Sequence, residues 1–184
     1  MGTTVPIFFF FGGFLMNKHT RYLVHSAVIA ALYAVLTHMQ NLLLPGSATW
    51  AIQLRLSEML CVLAFFTPAA IPGLTIGCLV FNLTFAAALP LDFILGSAAT
   101  CLAAGCMWLT RRITVKGLPL PGLLMPAFWN AILVGWELTV YIGGGFLVNA
   151  AYVAIGEAVV LLVFGSILYR LIWKRGLERY LFFV

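Results

Sequence analysis

Residues 149–173 read NAAYVAIGEAVVLLVFGSILYRLIW, and this stretch decides the fold class. Between Asn149 and Tyr169 a single charge interrupts it, Glu157. A helix needs about 20 apolar residues to cross bilayer hydrocarbon, so the segment has the length of a membrane span with an acid inside it. Working outward, breaks at Gly, Pro and charge clusters divide Tyr22 to Trp173 into six such apolar segments. They run from Tyr22 to Leu44, from near Gln53 to Pro68, from Ala70 to Leu89, from Asp92 to Leu109, from Leu123 to Ile142, and from Asn149 to Trp173. No alternating barrel-strand pattern occurs, and backbone in lipid must satisfy its hydrogen bonds internally. The expected fold is therefore all-α: a polytopic, compact bundle of six transmembrane helices over residues 16–184, without a soluble domain.

Composition supports the membrane class. In 184 residues, 64% are hydrophobic and 8% charged, and the mean hydropathy is +1.10. That is more apolar surface than a soluble core of this length can bury. The net charge of +5 would suggest nucleic acid in a soluble domain, but the cations cluster at helix ends, where anionic headgroups attract them. No nucleic-acid partner is needed to explain them.

The charges are also asymmetric. Lys18, Arg21, Arg111, Arg112, Lys116, Arg170, Lys174, Arg175 and Arg179 fall on one side of the deduced membrane, and Arg55 alone lies elsewhere. Short loops rich in Lys and Arg stay cytoplasmic, which places both termini inside a multi-pass cell-membrane protein. Glu58, Asp92, Glu137 and Glu157 then all fall in the outer half.

Residues 1–15, MGTTVPIFFFFGGFL, are too short for a span and lack a basic leader. They read as an N-terminal extension or alternative start, with Met16-Asn17-Lys18-His19 the more natural beginning and an interfacial segment the functional alternative. Cys61, Cys78, Cys101 and Cys106 lie in apolar stretches without CxxC spacing or neighbouring His, which argues for packing rather than a metal or a disulfide framework. No cofactor is implied.

An ionisable group at the bilayer centre costs about 2.5 to 3.5 kcal/mol on insertion scales, so four acids need a shared polar site. Arg55 and Glu58 are three apart, which allows either a local ion pair or an Arg55 that orients Glu58 toward a ligand; Gln53 and Ser57 lie beside them. Asn130, Val134, Glu137 and Tyr141 form one stripe of the fifth segment, with Trp136 beside the acid as stacking partner or interface anchor. Asn149 opens the sixth segment, with Tyr152 about one turn outward of Glu157. Asn82 reads as inter-helix glue or ligand contact, and Asp92 as a helix N-cap or a residue at the mouth. Four acids against one Arg favour a cation, and carboxylates with Asn, Gln and aromatics suit a flat heterocycle rich in N–H donors.

Ala27, Ala30, Ala31 and Ala34 place small residues at spacings of three and four on the first segment. Such a face serves either packing within the bundle or docking to another membrane subunit. No GxxxxGK[ST] occurs, so an ATP-driven cycle would need partner ATPases.

In these features the chain resembles the substrate-binding S components of energy-coupling factor transporters, specifically the QueT group associated with queuosine precursors. The resemblance covers Arg21 to Trp173. It rests on the alanine face, the block Gln53-Leu54-Arg55-Leu56-Ser57-Glu58 followed by Pro68 and Ile71-Pro72-Gly73, the run Asp92-Phe93-Ile94-Leu95-Gly96-Ser97, Asn130 with Glu137-Leu138, and Gly156-Glu157. It implies capture of a 7-deazaguanine precursor from outside and its delivery through a complex with a transmembrane T subunit and two ATPases. The alanine face would meet the T subunit. Glu58 or Glu137 would receive the guanine-like N1–H and amine, and Trp136 or Tyr152 would stack on the ring. The rival reading is a proton-coupled secondary transporter of a small cationic or heterocyclic metabolite, since buried acids also build proton relays. An enzyme is disfavoured, because no HExxH or GxSxG occurs.

Overall fold

A computed structural model describes residues 17–45, 47, 54–85 and 88–177. Its elements follow in order: α1 (Lys18–Leu43), a 3₁₀ helix (Leu56–Phe65), α2 (Ala70–Thr84), α3 (Asp92–Thr110), the single turn α4 (Leu120–Leu123), α5 (Met125–Tyr141), α6 (Phe146–Val160), a π-helical turn (Leu161–Gly165) and α7 (Ser166–Lys174). The last three form one rod, so the described residues give six main helical rods, as many as the apolar segments of the sequence.

Four rods are long and apolar enough to cross a membrane: Lys18–Leu43, Asp92–Thr110, Leu120–Tyr141 and Phe146–Lys174. The other two correct the expectation of six equal spans. Helix α2 stops at Thr84 rather than Leu89, and Phe85 is extended. The second segment is helical over Leu56–Phe65, ten residues wound as a 3₁₀ helix. At about 2.0 Å rise per residue such a run covers about 20 Å, where an α-helix of that length covers about 15 Å. Overwinding lets a short segment reach through the bundle. It can be short because it is central: Cys61, Val62 and Ala64 are fully buried, shielded from lipid by the surrounding helices.

Directions alternate. Gly73 packs on Ser26 and Ile29, and Gly77 on Ala30 and Tyr33, so α1 and α2 run parallel with the 3₁₀ helix returning between them. Asn82 meets Asp92 and Gly135 meets Ala150, so α2/α3 and α5/α6 are antiparallel. Lipid supplies no hydrophobic drive between helices, and close approach does the work instead. A Cβ on Gly77 would lie 2.8 Å from the Ala30 carbonyl oxygen, and one on Gly135 2.8 Å from the Ala150 Cα.

The two ends of the bundle differ. At one, Phe65 and Phe66 pack on Tyr169, Gly122 packs on Phe65 and Thr110, and Tyr22 donates to the Pro68 carbonyl. Here the apolar core is largest, and here lie both ends of the described chain with Lys18, Arg21, Arg111, Arg112, Arg170, Lys174 and Arg175. At the other end Gly143 and Gly144 adopt φ of 91° and 86°, a region glycine enters without strain, so the triple glycine makes a defined turn between α5 and α6. Asn149 closes that turn, donating to the Gly143 carbonyl and to Thr139 Oγ1, each at 3.0 Å.

Candidate functional site

Buried polar groups concentrate in the half of the bundle away from the basic end. They begin on α1, where Tyr33, Thr37, Gln40 and Asn41 make a buried polar stripe at helical spacing. Tyr33 OH donates to Glu58 Oε1, Thr37 meets Ser57 at 2.7 Å, and Gln40 accepts from the Leu56 N–H at 2.7 Å while donating to the Leu54 carbonyl. These contacts hold the start of the 3₁₀ helix. Within it, i and i+3 eclipse, which brings Cys61 Sγ to 3.1 Å from Glu58 Oε2. Both oxygens of Glu58 are thereby engaged.

Arg55 precedes the 3₁₀ helix in extended conformation and is 1% exposed. Its Nη2 lies 3.4 Å from Asp92 Oδ2. Glu58, Glu137 and Glu157 lie within its electrostatic range. Asp92 occupies the first turn of α3, after the N-cap Leu91, and makes no capping bond; the N-cap reading is replaced by an inter-helix ion pair. Asn82 Nδ2 donates to the Asp92 carbonyl at 2.8 Å. Gly96 leaves room beside them, since a Cβ there would lie 2.8 Å from Asn82 Nδ2 and 3.1 Å from Asp92 Oδ1.

On the α5/α6 side, Asn130 Nδ2 donates to Glu157 Oε1 at 3.1 Å. Asn130, Val134 and Glu137 are all buried, as their shared stripe predicts. Tyr141, at the end of that stripe, is exposed, and so are Trp136 and Tyr152. A helix turns about 100° per residue, so Trp136 faces away from the packed side that holds Glu137. The structure therefore does not bring Trp136, Tyr141 or Tyr152 among the buried acids, and Asn149 belongs to the turn at the mouth. Gln53 lies outside the described residues. Ser57 stands beside Glu58 as its spacing places it, Cys61 meets an acid where packing was expected, and Tyr33 and Thr37 join the site without a signal in the spacing of the acids.

The alanine face divides. Ala30 and Ala34 are buried, Ala30 against Gly77 of α2, whereas Ala27 and Ala31 are exposed on the flank of α1. Among the described residues, no cluster of His, Cys, Asp and Glu forms a metal site.

The hydrogen-bond balance is one-sided. Buried side-chain atoms without a partner among the described residues are Asn41 Oδ1, Asn82 Oδ1, Asp92 Oδ1, both oxygens of Glu137, Glu157 Oε2 and Trp129 Nε1. Six of these seven are acceptors. A buried group left unpaired costs about 1–3 kcal/mol, and more when charged. The unmet demand in this cluster is therefore for donors.

No curated protein and no solved structure matches the chain. A family model described as QueT transporter matches residues 23–174, a span that contains every charged or polar group just described. The chain belongs to the QueT transporter family.

Proposed function

We propose that this protein is the substrate-binding S component of an energy-coupling factor importer, and that it captures a queuosine precursor, a 7-deazaguanine such as the 7-aminomethyl, 7-cyano or queuine form. The observation that carries this reading is the excess of unpartnered acceptors in the buried polar cluster. A 7-deazaguanine offers N–H donors at N1, at the exocyclic amine and at the pyrrole nitrogen, and its aminomethyl form adds an ammonium. Asn82, Asp92, Glu137 and Glu157 supply oxygens to meet them, and Arg55 keeps the empty site from being a cluster of uncompensated negative charge.

The basic end of the bundle is the cytoplasmic end in this reading, so the polar cluster opens toward the outside. Transport needs partners: a transmembrane T subunit and two ATPases. Ala27 and Ala31, exposed on α1, suit close contact with a helix of the T subunit, while Ala30 and Ala34 hold α1 in place behind them.

The test is calorimetric titration of detergent-purified protein with 7-aminomethyl-7-deazaguanine, 7-cyano-7-deazaguanine, queuine, guanine, riboflavin and thiamine. Tight binding confined to the deazaguanines supports the reading. Proteoliposomes holding this chain alone should bind without accumulating substrate, and sustained uptake driven by a proton gradient would instead establish a secondary transporter.

A further inference from the structure

Away from the buried acids, a second feature opens on the flank of the bundle. Helices α1 and α7 both pack on the 3₁₀ helix and leave between them a groove of about 380 Å³. Its floor is apolar. Leu60 and Leu63, three apart and so in line on a 3₁₀ helix, meet Ile29 of α1 and Ile172 of α7 there, and Ile29, Leu63 and Ile172 are buried. Its rims are Val28 and Leu32 on one side, each about half exposed, and Leu168 on the other.

The groove ends in positive charge. Helix α1 begins at the basic end of the bundle and α7 finishes there, and helical spacing extends both walls toward that end. On α1, His25 lies in the groove, with Arg21 four residues before it and Lys18 three before that. On α7, Arg175 stands three residues beyond Ile172. The four described acids all lie in the other half of the bundle, and the fifth acid of the chain, Glu178, falls outside the described residues.

An apolar trough with cations at its mouth matches a ligand with a long hydrocarbon chain and an anionic head, since basic residues at a membrane surface attract anionic headgroups. The rims argue against a protein helix as the occupant. Helices approach closely in lipid through small residues, whereas Val28, Leu32 and Leu168 are all branched. Ala27 and Ala31 lie about 100° around α1 from Val28 and Leu32, so the small-residue flank is a different surface. A flexible chain can follow branched side chains that hold a helix backbone away.

We propose that this groove holds one acyl chain of an anionic phospholipid from the leaflet at the basic end, with the phosphate among Lys18, Arg21 and Arg175. The bound lipid bridges α1 and α7 and covers the side of the 3₁₀ helix that they leave open.

The experiment is native mass spectrometry of the full chain released from nanodiscs of phosphatidylglycerol and phosphatidylcholine in equal amounts. The unsubstituted protein should retain one phosphatidylglycerol in preference to phosphatidylcholine. Arg21→Gln combined with Arg175→Gln should lower that preference by about 30-fold, the effect of losing two cations near a headgroup. Arg111→Gln combined with Arg112→Gln removes the same charge from the same end but off the groove, and should leave the preference unchanged. Leu32→Trp fills the groove from its exposed rim and should displace the lipid with every cation in place. Equal losses from the two arginine pairs, or retention unaffected by Leu32→Trp, would overturn the site in favour of general attraction to headgroups, and so would an unsubstituted protein that retains no phosphatidylglycerol. If Leu32→Trp kept its lipid but lost co-purification with a T subunit, the groove would be a protein interface and the lipid site would fall. Should the Arg21 and Arg175 double variant lose its monodisperse elution, Lys18→Gln alone must show a drop of about fivefold. None of these outcomes depends on which ligand the acidic cluster takes.

Discussion

Arg55 and Asp92 form an ion pair across 3.4 Å between the start of the 3₁₀ helix and the first turn of α3, both side chains almost fully buried. They are 37 residues apart in sequence, and the pair draws two helices together at the level where the acids gather. Removing one member of a buried pair strands the other charge. Arg55→Gln leaves Asp92, Glu58, Glu137 and Glu157 without their cation, and should destabilise the protein by about 3–5 kcal/mol. A thermal melt in detergent, followed by size-exclusion fluorescence, reads this as a large drop in the midpoint; an unchanged midpoint would remove Arg55 from its central place.

Tyr33 and Glu58 connect α1 to the 3₁₀ helix. Tyr33→Phe keeps the ring and takes away the donor, so Glu58 Oε1 joins the unpartnered acceptors at a cost of about 1–3 kcal/mol. The same melt should register it, and Tyr22→Phe, whose hydroxyl makes a 3.4 Å contact at the exposed end, should register little.

Close helix contact sets a second class of prediction. At Gly135 a Cβ would stand 2.8 Å from the Ala150 backbone, which cannot move without shifting α6. Gly135→Ala should cost about 1–3 kcal/mol by overpacking. Gly105→Ala, where nothing lies within 4 Å, should be neutral or slightly stabilising through its higher helix propensity. Equal melting points for the two would contradict the packing described for α5 and α6.

The division of the alanine face predicts opposite phenotypes one residue apart. Ala31→Leu enlarges an exposed position and should leave ligand titration unchanged while lowering co-purification with the T subunit and ATPases. Ala30→Leu forces bulk against Gly77 and should lower yield and thermal stability of the isolated chain. Normal complex formation by Ala31→Leu would move the partner contact off this flank.

Orientation can be read by labelling. Lys116→Cys at the basic end and Leu147→Cys at the glycine turn, each with Cys101 and Cys106 replaced by Ser, present one thiol per side. A membrane-impermeant maleimide applied to intact cells should label Leu147→Cys and spare Lys116→Cys until the membrane is opened; the opposite pattern would invert the proposed topology.

Much of this molecule is written along the chain. Apolar length and charge placement determine a helical membrane bundle of six segments with cations at one end and four acids buried in the other half, because lipid penalises unpaired backbone and unneutralised charge wherever they occur. Helical spacing alone brings Asn130, Val134 and Glu137 to one buried face. What the tertiary structure decided is which polar atoms are already taken. Glu58 and Glu137 look alike in sequence, yet one is engaged by Tyr33, 25 residues away, and the other meets no side-chain donor among the described residues. The ion pair of Arg55, the exposure of Trp136, Tyr141 and Tyr152, and the split between Ala30 and Ala31 likewise depend on how each helix is rotated against its neighbours. The 3₁₀ winding of Leu56–Phe65 does too, since it answers the distance a central segment must cover rather than any local propensity. Periodicity places a side chain on a face of its own helix; whether that face meets lipid, an arginine or another helix is settled by contacts between segments far apart in the chain.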